Sequence, residues 1–422
     1  NSIPLSMKSS NVKVVRSCRI CHSRKLYRFL DLTPMPIPNG FLKKEDLKKK
    51  EPYYELSCYF CENCGLVQLT NVVNPSIMFS NYVYIPSTSK IMMNNFSNLA
   101  YCANNLIKLD GKKLVIDIGS NDGSLLKFFK IYGAKVLGID PAKNIAKLAE
   151  MNGILTEVKL FNLTTAKTVA KKYGKATVIT ATNVVAHIDD LHQLFKGVDK
   201  LLSSDGIFIT EFPYLLDLVQ KNEFDTIYHE HLSYFSLKPW LHLINQYGFE
   251  IIEAQRLFIQ GGSIRLIHKR KNKSKGSYQK TINYLIKLEE SHGLYDKSAF
   301  DKFSDRVSNL RTEIITTLKK LKKEKKKIVG YGAAAKGNVL MHYFNINSKI
   351  FDYVVDSTSY KQGLYTPGNH ILVHPEQKLL TDHPDYAFIL AWNFADEIIE
   401  KRRDFKKIGG KFIIPIPKLK IV

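Results

Sequence analysis

The chain has 422 residues, 45% of them apolar and 24% charged, the proportions of an ordinary globular protein with room for two or three cores. No apolar run approaches the ~18 residues of a membrane-spanning helix, and the start lacks the layout of a secretory leader, which predicts a cytoplasmic protein. A formal charge of +23 would suit a nucleic acid, an acidic membrane surface or a phosphorylated small substrate, yet its one dense block, Lys319–Lys327, reads as the solvated end of a charged helix.

Residues 1–74 form the first unit. Of six cysteines, five fall in two clusters, which points to metal in a reducing compartment rather than to disulfides. Cys18-x2-Cys21 and Cys61-x2-Cys64 supply four thiolates on two tight knuckles, the set for a closed, structural zinc ion. Cys58 stands close enough to replace Cys61 or Cys64. Arg19 and His22 are positioned to keep thiolates ionised. The irregular Thr33–Pro38 stretch needs such a staple, because so short a unit buries little core. Tyr82 and Tyr84 follow, in a hydroxyl-rich stretch that either reaches into a cleft or packs a linker, and then a helix through Leu106.

Residues 75–268 alternate apolar runs with helical segments, the pattern of a doubly wound parallel sheet. The organising stretch is Leu114–Gly123, an apolar run ending in Asp117 and then Gly119-Ser-Asn121-Asp122-Gly123. It predicts a strand turning sharply into a helix, with the glycines allowing close approach to the main chain. A second run, Lys135–Asp140, ends in an acid placed to accept hydrogen bonds from a ribose diol. The loop lacks G-x-G-x-x-G spacing and resembles instead the first motif of S-adenosylmethionine (SAM) methyltransferases. Further strands are expected at Ala176–Ala181, Ile207–Phe212, Glu250–Glu253 and Ser263–His268. Asn183 and His187 follow a strand end and so face the crevice where ligands bind.

The densest chemistry is Tyr228-His229-Glu230-His231-Leu-Ser-Tyr234. It fits neither a core strand nor an amphipathic helix, and it lacks the histidine spacing of a helical zinc protease. An extended segment would point Tyr228 and Glu230 one way and the two histidines the other, whereas a tight turn would let all four converge. A histidine beside a carboxylate is a general-base candidate.

Residues 269–327 read as a helical bridge. Residues 328–422 begin a second α/β unit, with a strand, the glycine-rich turn Gly330-Tyr-Gly332-Ala-Ala-Ala335-Lys336-Gly337 and a helix start suited to phosphate. Read bare, it is a nucleotide-binding half-domain.

Taken together, the cysteine pairs, Tyr82-Val-Tyr84, Asp117–Gly123, Asn183–His187, Glu211-Phe-Pro-Tyr214 and Tyr228–Ser236 resemble the sugar-nucleotide C-methyltransferase family. The resemblance implies an α/β protein with a small N-terminal zinc-binding domain, a central doubly wound SAM-methyltransferase domain and a C-terminal Rossmann-like domain. It implies SAM-dependent methylation of a carbon, C-3 in that family, of a nucleotide-linked 4-keto-6-deoxy sugar. On that basis His231 is expected as the base, with His229 the competing choice. Glu230, Tyr228, His187 and Tyr84 would steady the imidazole, the sugar and the developing enolate. Asp117, Gly119, Asn121, Asp122, Gly123, Asp140 and Asn183 would hold SAM. Tyr82, Tyr214, Lys336, Asn338, Lys361 and Asn393 would contact the nucleotide sugar. A zinc-ribbon nucleic-acid methyltransferase is the rival reading, although the C-terminal unit lacks interleaved basic and aromatic stripes, so no nucleic acid and no membrane partner are expected.

Overall fold

The structure is a computed structural model and describes residues 11–79, 85–271 and 279–422. Near the N-terminus, β1 (Val12–Val14) folds onto β5 (Asn71–Val73) as a short antiparallel ribbon. Between them β2 (Leu26–Asp31), β3 (Ser57–Cys61) and β4 (Val67–Leu69) form an antiparallel sheet. Its last strand comes from far along the chain: β11 (Ser233–Tyr234) pairs antiparallel with β4.

The central sheet is built on apolar runs. β6 (Leu114–Ile118) is buried along its whole length, as a strand covered on both faces must be. Beside it run β7 (Lys135–Ile139), β8 (Thr156–Glu157), β9 (Ala176–Thr182) and β10 (Leu202–Pro213), all parallel. The helix Lys90–Ile107, capped by the Ser89 hydroxyl on the Met92 amide, buries Met92, Phe96, Leu99, Ala100 and Ala103. That spacing is one helical stripe, and it packs on Val115, Leu126 and Phe129.

The expected alternation fails at one edge. β12 (Phe249–Leu257) and β13 (Ser263–Arg270) form an antiparallel hairpin with no helix between them, and β13 also runs antiparallel to β10. The few intervening residues are too short for a parallel crossover, and Gln260, Gly261 and Gly262 turn the chain at φ of 53°, 102° and 155°.

The bridge consists of helices Gln279–Ser291 and Lys297–Lys323. Buried Glu289 ties the first to the central unit: it accepts from the Tyr214 hydroxyl at 2.6 Å, from the Leu237 amide at 3.0 Å and from the Tyr295 hydroxyl. The second helix lays Phe300 against Phe29 and Phe60 of the N-terminal sheet. Further along, Arg311 donates to the Tyr343 carbonyl of the C-terminal unit at 2.7 Å. That unit holds β14 (Ile328–Tyr331), β15 (Val354–Val355), β16 (Val373–His374), β17 (Tyr386–Ile389), β18 (Lys411–Ile414) and β19 (Lys420–Ile421), in the order β16-β15-β14-β17-β18-β19. All pairs are parallel except the last.

One buried ion pair fastens the central layers. Glu211 of β10 accepts from the Arg265 guanidinium of β13 at 2.8 Å and from the Asn95 amide of the covering helix at 2.7 Å, with both charged groups essentially out of water. Arg265→Met leaves the Glu211 carboxylate buried without its cation, so it is expected to lower the unfolding free energy by about 3–5 kcal/mol. Urea denaturation measures this directly.

Candidate active site and metal centre

Both halves of the cofactor loop are shaped by backbone geometry. Gly119 and Gly123 sit at φ of +70° and +76°, and a side chain at Gly119 would lie 2.7 Å from Val184 Cγ2. The loop therefore touches the segment after β9 that carries Asn183 and His187. Asp140 holds the loop with both oxygens: Oδ2 accepts the Asn121 amide at 3.0 Å and Oδ1 the Ala142 amide at 2.8 Å. Asp122 accepts the Ser124 amide at 3.1 Å where the following helix begins.

Asp117, near the end of β6, is fully enclosed and accepts from the Thr180 hydroxyl at 2.7 Å. Burial pushes its carboxyl from 3.8 to about 7, against the Thr180 bond, with Asp140 adding to the rise. Buried polar atoms without protein partners gather here: Ser120 Oγ, Asp122 Oδ2 and Asn183 Oδ1. Orphaned polar atoms lining a glycine cradle fit a ligand as polar as SAM, with its ammonium, carboxylate and ribose.

The Tyr228–His231 segment is a tight turn, closed by the His231 amide on the Tyr228 carbonyl at 2.8 Å. Its side chains nevertheless diverge. His229 points into the N-terminal unit, where its Nε2 meets the Tyr54 carbonyl at 3.2 Å and its Nδ1 is buried without a partner. Glu230 turns the same way and accepts from the Asn39 amide at 2.6 Å. His231 faces the central sheet, with ring centroids 4.1 Å from Tyr228 and 5.0 Å from His187.

The His231 Nδ1 lies 2.8 Å from the Thr226 carbonyl. A carbonyl only accepts, so Nδ1 carries the hydrogen and Nε2 keeps its lone pair. Burial holds the His231 pKa well below 6.5, with His187 and Lys336 lowering it further. Burial alone brings His187 down to about 4. Both rings are neutral at neutral pH.

In the N-terminal unit the sulfurs of Cys18, Cys21, Cys61 and Cys64 all lie within 4.8 Å of one another, with Cys18–Cys64 at 3.5 Å and Cys21–Cys61 at 3.6 Å. Zinc–sulfur bonds of ~2.3 Å in a tetrahedron set sulfurs ~3.8 Å apart, so the four fit the ion. Cys58 lies outside the cluster, and burial raises its thiol pKa far above the ordinary value. Arg19 lies close enough to Cys18 for its charge to favour that thiolate, but its hydrogen bonds go elsewhere. Arg19 sends its guanidinium to Asp189 and to the Leu69 and Leu232 carbonyls, and His22 stacks on His192.

The candidate substrate residues do not all converge. Tyr82 and Tyr84 lie outside the described residues. Tyr214 is buried with its hydroxyl on Glu289, so its side chain is a packing and anchoring group rather than a ligand contact. Asn338 donates to the Pro38 carbonyl at 2.6 Å, and Lys361 to the Ala333 carbonyl at 2.8 Å. Lys336 donates to the Gln260 carbonyl at 3.0 Å and lies 5.5 Å over the Trp392 ring. Asn393 lines a cavity of about 320 Å³ between the hairpin tip and the C-terminal unit, together with Ile91, Lys221, Phe258, Gln260 and Trp392.

Sequence reasoning missed Glu223 and Asp225. Burial raises them to about 7 and about 6, while nearby Lys336 opposes the rise. Trp392 donates its indole N–H to Asp225 at 2.6 Å. Two acids just before a histidine turn are a signal, but only the fold brings Lys336 beside them.

A carboxyl whose folded pKa exceeds its unfolded value binds its proton more tightly when folded, so Asp117 costs stability as pH rises from about 4 through about 7. Asp117→Asn removes this titration while keeping an acceptor for Thr180. Its melting temperature is expected to exceed that of the unaltered protein near pH 8 and to converge with it near pH 4. Thermal scans at both values check this, and a gap independent of pH would contradict burial as the cause.

Three family models match in succession: a zinc binding domain over residues 18–79, a methyltransferase domain over 95–254 and a C-methyltransferase C-terminal domain over 258–417. The C-methyltransferase NovU of Streptomyces niveus is 30% identical over 97% of this chain and 98% of its own length. A ubiquinone biosynthesis O-methyltransferase of Bartonella quintana is 28% identical over 22% of this chain and 38% of its own. The SAM-bound magnesium protoporphyrin IX methyltransferase of Synechocystis aligns over 42% of this chain and 78% of its own at 15% identity and a TM-score of 0.32. With a full-length relative, three consecutive family matches and a cofactor loop at the strand ends of a Rossmann-like sheet, the chain belongs to the C-methyltransferase family and is a SAM-dependent enzyme.

Proposed function

We propose that this enzyme methylates a carbon next to the ketone of a nucleotide-linked 4-keto-6-deoxy sugar, with His231 as the base. The observation that carries the reading is the fixed tautomer of His231: Nδ1 is tied to the Thr226 carbonyl, and a lone pair is left on Nε2 beside His187. The substrate class rests on the motifs shared with the sugar-nucleotide C-methyltransferases. Bound SAM supplies an electrophilic methyl group on a sulfonium.

The hydrogen next to a ketone is acidic because its loss gives an enolate. In this reading Nε2 of His231 takes that proton, and the electrons of the C–H bond pass into the enolate. Bound SAM would supply the methyl that the enolate carbon takes, the carbon–sulfur bond being the one broken, and His231 would release its proton to solvent. His187 and Tyr228, both packed on the His231 ring, would steady the enolate oxygen as an oxyanion hole does. Enclosure excludes water from the carbanion. Lys336, whose charge is felt at His231, and Asn393 at the cavity mouth would contact the nucleotide part. The unit over residues 328–422 would serve as the nucleotide-sugar-binding domain, and the unit over 1–74 as the zinc-binding one. His229 is the weaker base candidate, because it faces the Tyr54 carbonyl of the N-terminal unit.

Purified protein with SAM and a panel of nucleotide-linked 4-keto sugars is expected to yield a sugar heavier by one methylene group, detected by mass spectrometry. His231→Ala should lower the rate by about 100-fold or more, the share of a general base, with SAM affinity retained. Methylation at full rate in that variant would move the base elsewhere, and no methylated sugar from any panel member would refute the substrate class.

A further inference from the structure

The reacting histidines are not held by the methyltransferase sheet alone. Arg19 lies between Cys18 and Cys21 on the first zinc knuckle and is only 5% exposed. Its backbone amide donates to Gln68 Oε1 at 2.9 Å, and Gln68 Nε2 donates to the Ser17 carbonyl at 3.1 Å, so the knuckle is clamped on both sides. From there the guanidinium leaves the cysteines. Its Nε donates to Asp189 at 3.0 Å, and Nη1 is shared between the carbonyls of Leu69 and Leu232.

Those partners are the neighbours of the catalytic candidates. Asp189 lies two residues after His187, and Leu232 directly follows His231. The same two segments are laced together by the Leu232 amide on the Ala186 carbonyl at 2.7 Å, while the Leu69 amide takes the Leu232 carbonyl at 3.0 Å. A second link runs beside the first, from His192 Nε2 to the Ile20 carbonyl at 3.0 Å.

We propose that Arg19 is a positioning residue through which the zinc knuckle sets the spacing of His187 and His231. One planar cation with donors in fixed directions joins the knuckle to both loops at once, a geometry lysine cannot reproduce. The zinc unit thus acts beyond holding its own fold, because the cation is carried on a backbone flanked by two of the four clustered cysteines. The prediction concerns alignment rather than cofactor affinity, and misplacement of ~1 Å at a reacting centre costs about 100-fold in rate.

The test uses the full zinc-loaded chain and the variants Arg19→Gln, Asp189→Ala and the double variant. The turnover arm rests on the sugar reading above; hydrogen exchange and SAM binding do not. Arg19→Gln is expected to keep about one zinc per chain by elemental mass spectrometry. SAM affinity by calorimetry should stay within about threefold, with kcat falling about 100-fold and KM little changed. Amide exchange should quicken in the peptides around 183–190 and 226–236. Asp189→Ala, which removes the acceptor of the Arg19 Nε and leaves the knuckle intact, should lower kcat about tenfold, and the double variant should be no slower than Arg19→Gln. Unchanged turnover and exchange in both single variants would overturn the proposal. So would zinc and SAM affinity lost in step with kcat in both, which would mark a purely structural role. If the unaltered enzyme turns over no keto sugar, the substrate reading fails, and the exchange data alone decide on Arg19.

Discussion

The pairing of β11 with β4 is the constraint on which the rest of this molecule depends. A strand of two residues has little stability of its own, and it survives here because it completes the N-terminal sheet. The residues just before it form the Tyr228–His231 turn, so the histidine turn ends on a ladder belonging to another lobe. Its side chains are attached as well: His229 to the Tyr54 carbonyl, Glu230 to Asn39, and His231 to Thr226 just before the turn. Two of the three are made by the N-terminal unit. A turn carrying this many polar groups cannot be buried cheaply, and their satisfaction by a neighbouring lobe is what permits it.

The central and C-terminal units solve one local problem in the same way. After the first strand of each, a glycine-containing loop must reverse direction at the strand's carboxyl end, and an aspartate just after the next strand holds it. Asp140 takes the amides of Asn121 and Ala142; Asp356 takes those of Ala333 at 2.6 Å and Thr358 at 2.7 Å. In both, one oxygen grips the loop and the other caps the acid's own turn. The acids are thus already engaged with the backbone, and any ribose diol they bind must share oxygens that shape the loop.

The strands and the cofactor loop were legible because periodicity and glycine placement act locally: the apolar run Leu114–Ile118 needs burial on both faces whatever surrounds it. The cysteine spacing was legible for a similar reason, since two knuckles bring four sulfurs together with little help from the rest of the chain. What the sequence concealed was long-range partnership. Nothing near Tyr214 announces Glu289, and nothing near Arg19 announces Asp189 or Leu232. The alternation rule also overreached at β12 and β13, where positive-φ residues at 260–262 make a hairpin of two runs that resemble any others. The Tyr-His-Glu-His segment was recognisable as chemistry, yet its divergence into two lobes depends on contacts no spacing encodes.

Charge follows the same division between composition and position. The excess of lysine is mostly solvated, whereas Lys336 acts on the buried acids and on the buried histidine together. Burial raises Glu223 and Asp225 and lowers His231, in each case disfavouring the charged form. Lys336 pulls the two acids back down and pushes the imidazole further down. One cation therefore favours ionised carboxylates and a neutral histidine together. It does so from the C-terminal unit, fixed by the Gln260 carbonyl at the hairpin tip and set over Trp392, whose indole holds Asp225. The zinc unit fixes where the histidines stand and the C-terminal unit biases which form they hold, so neither can be stripped from the central sheet without changing the chemistry that sheet displays.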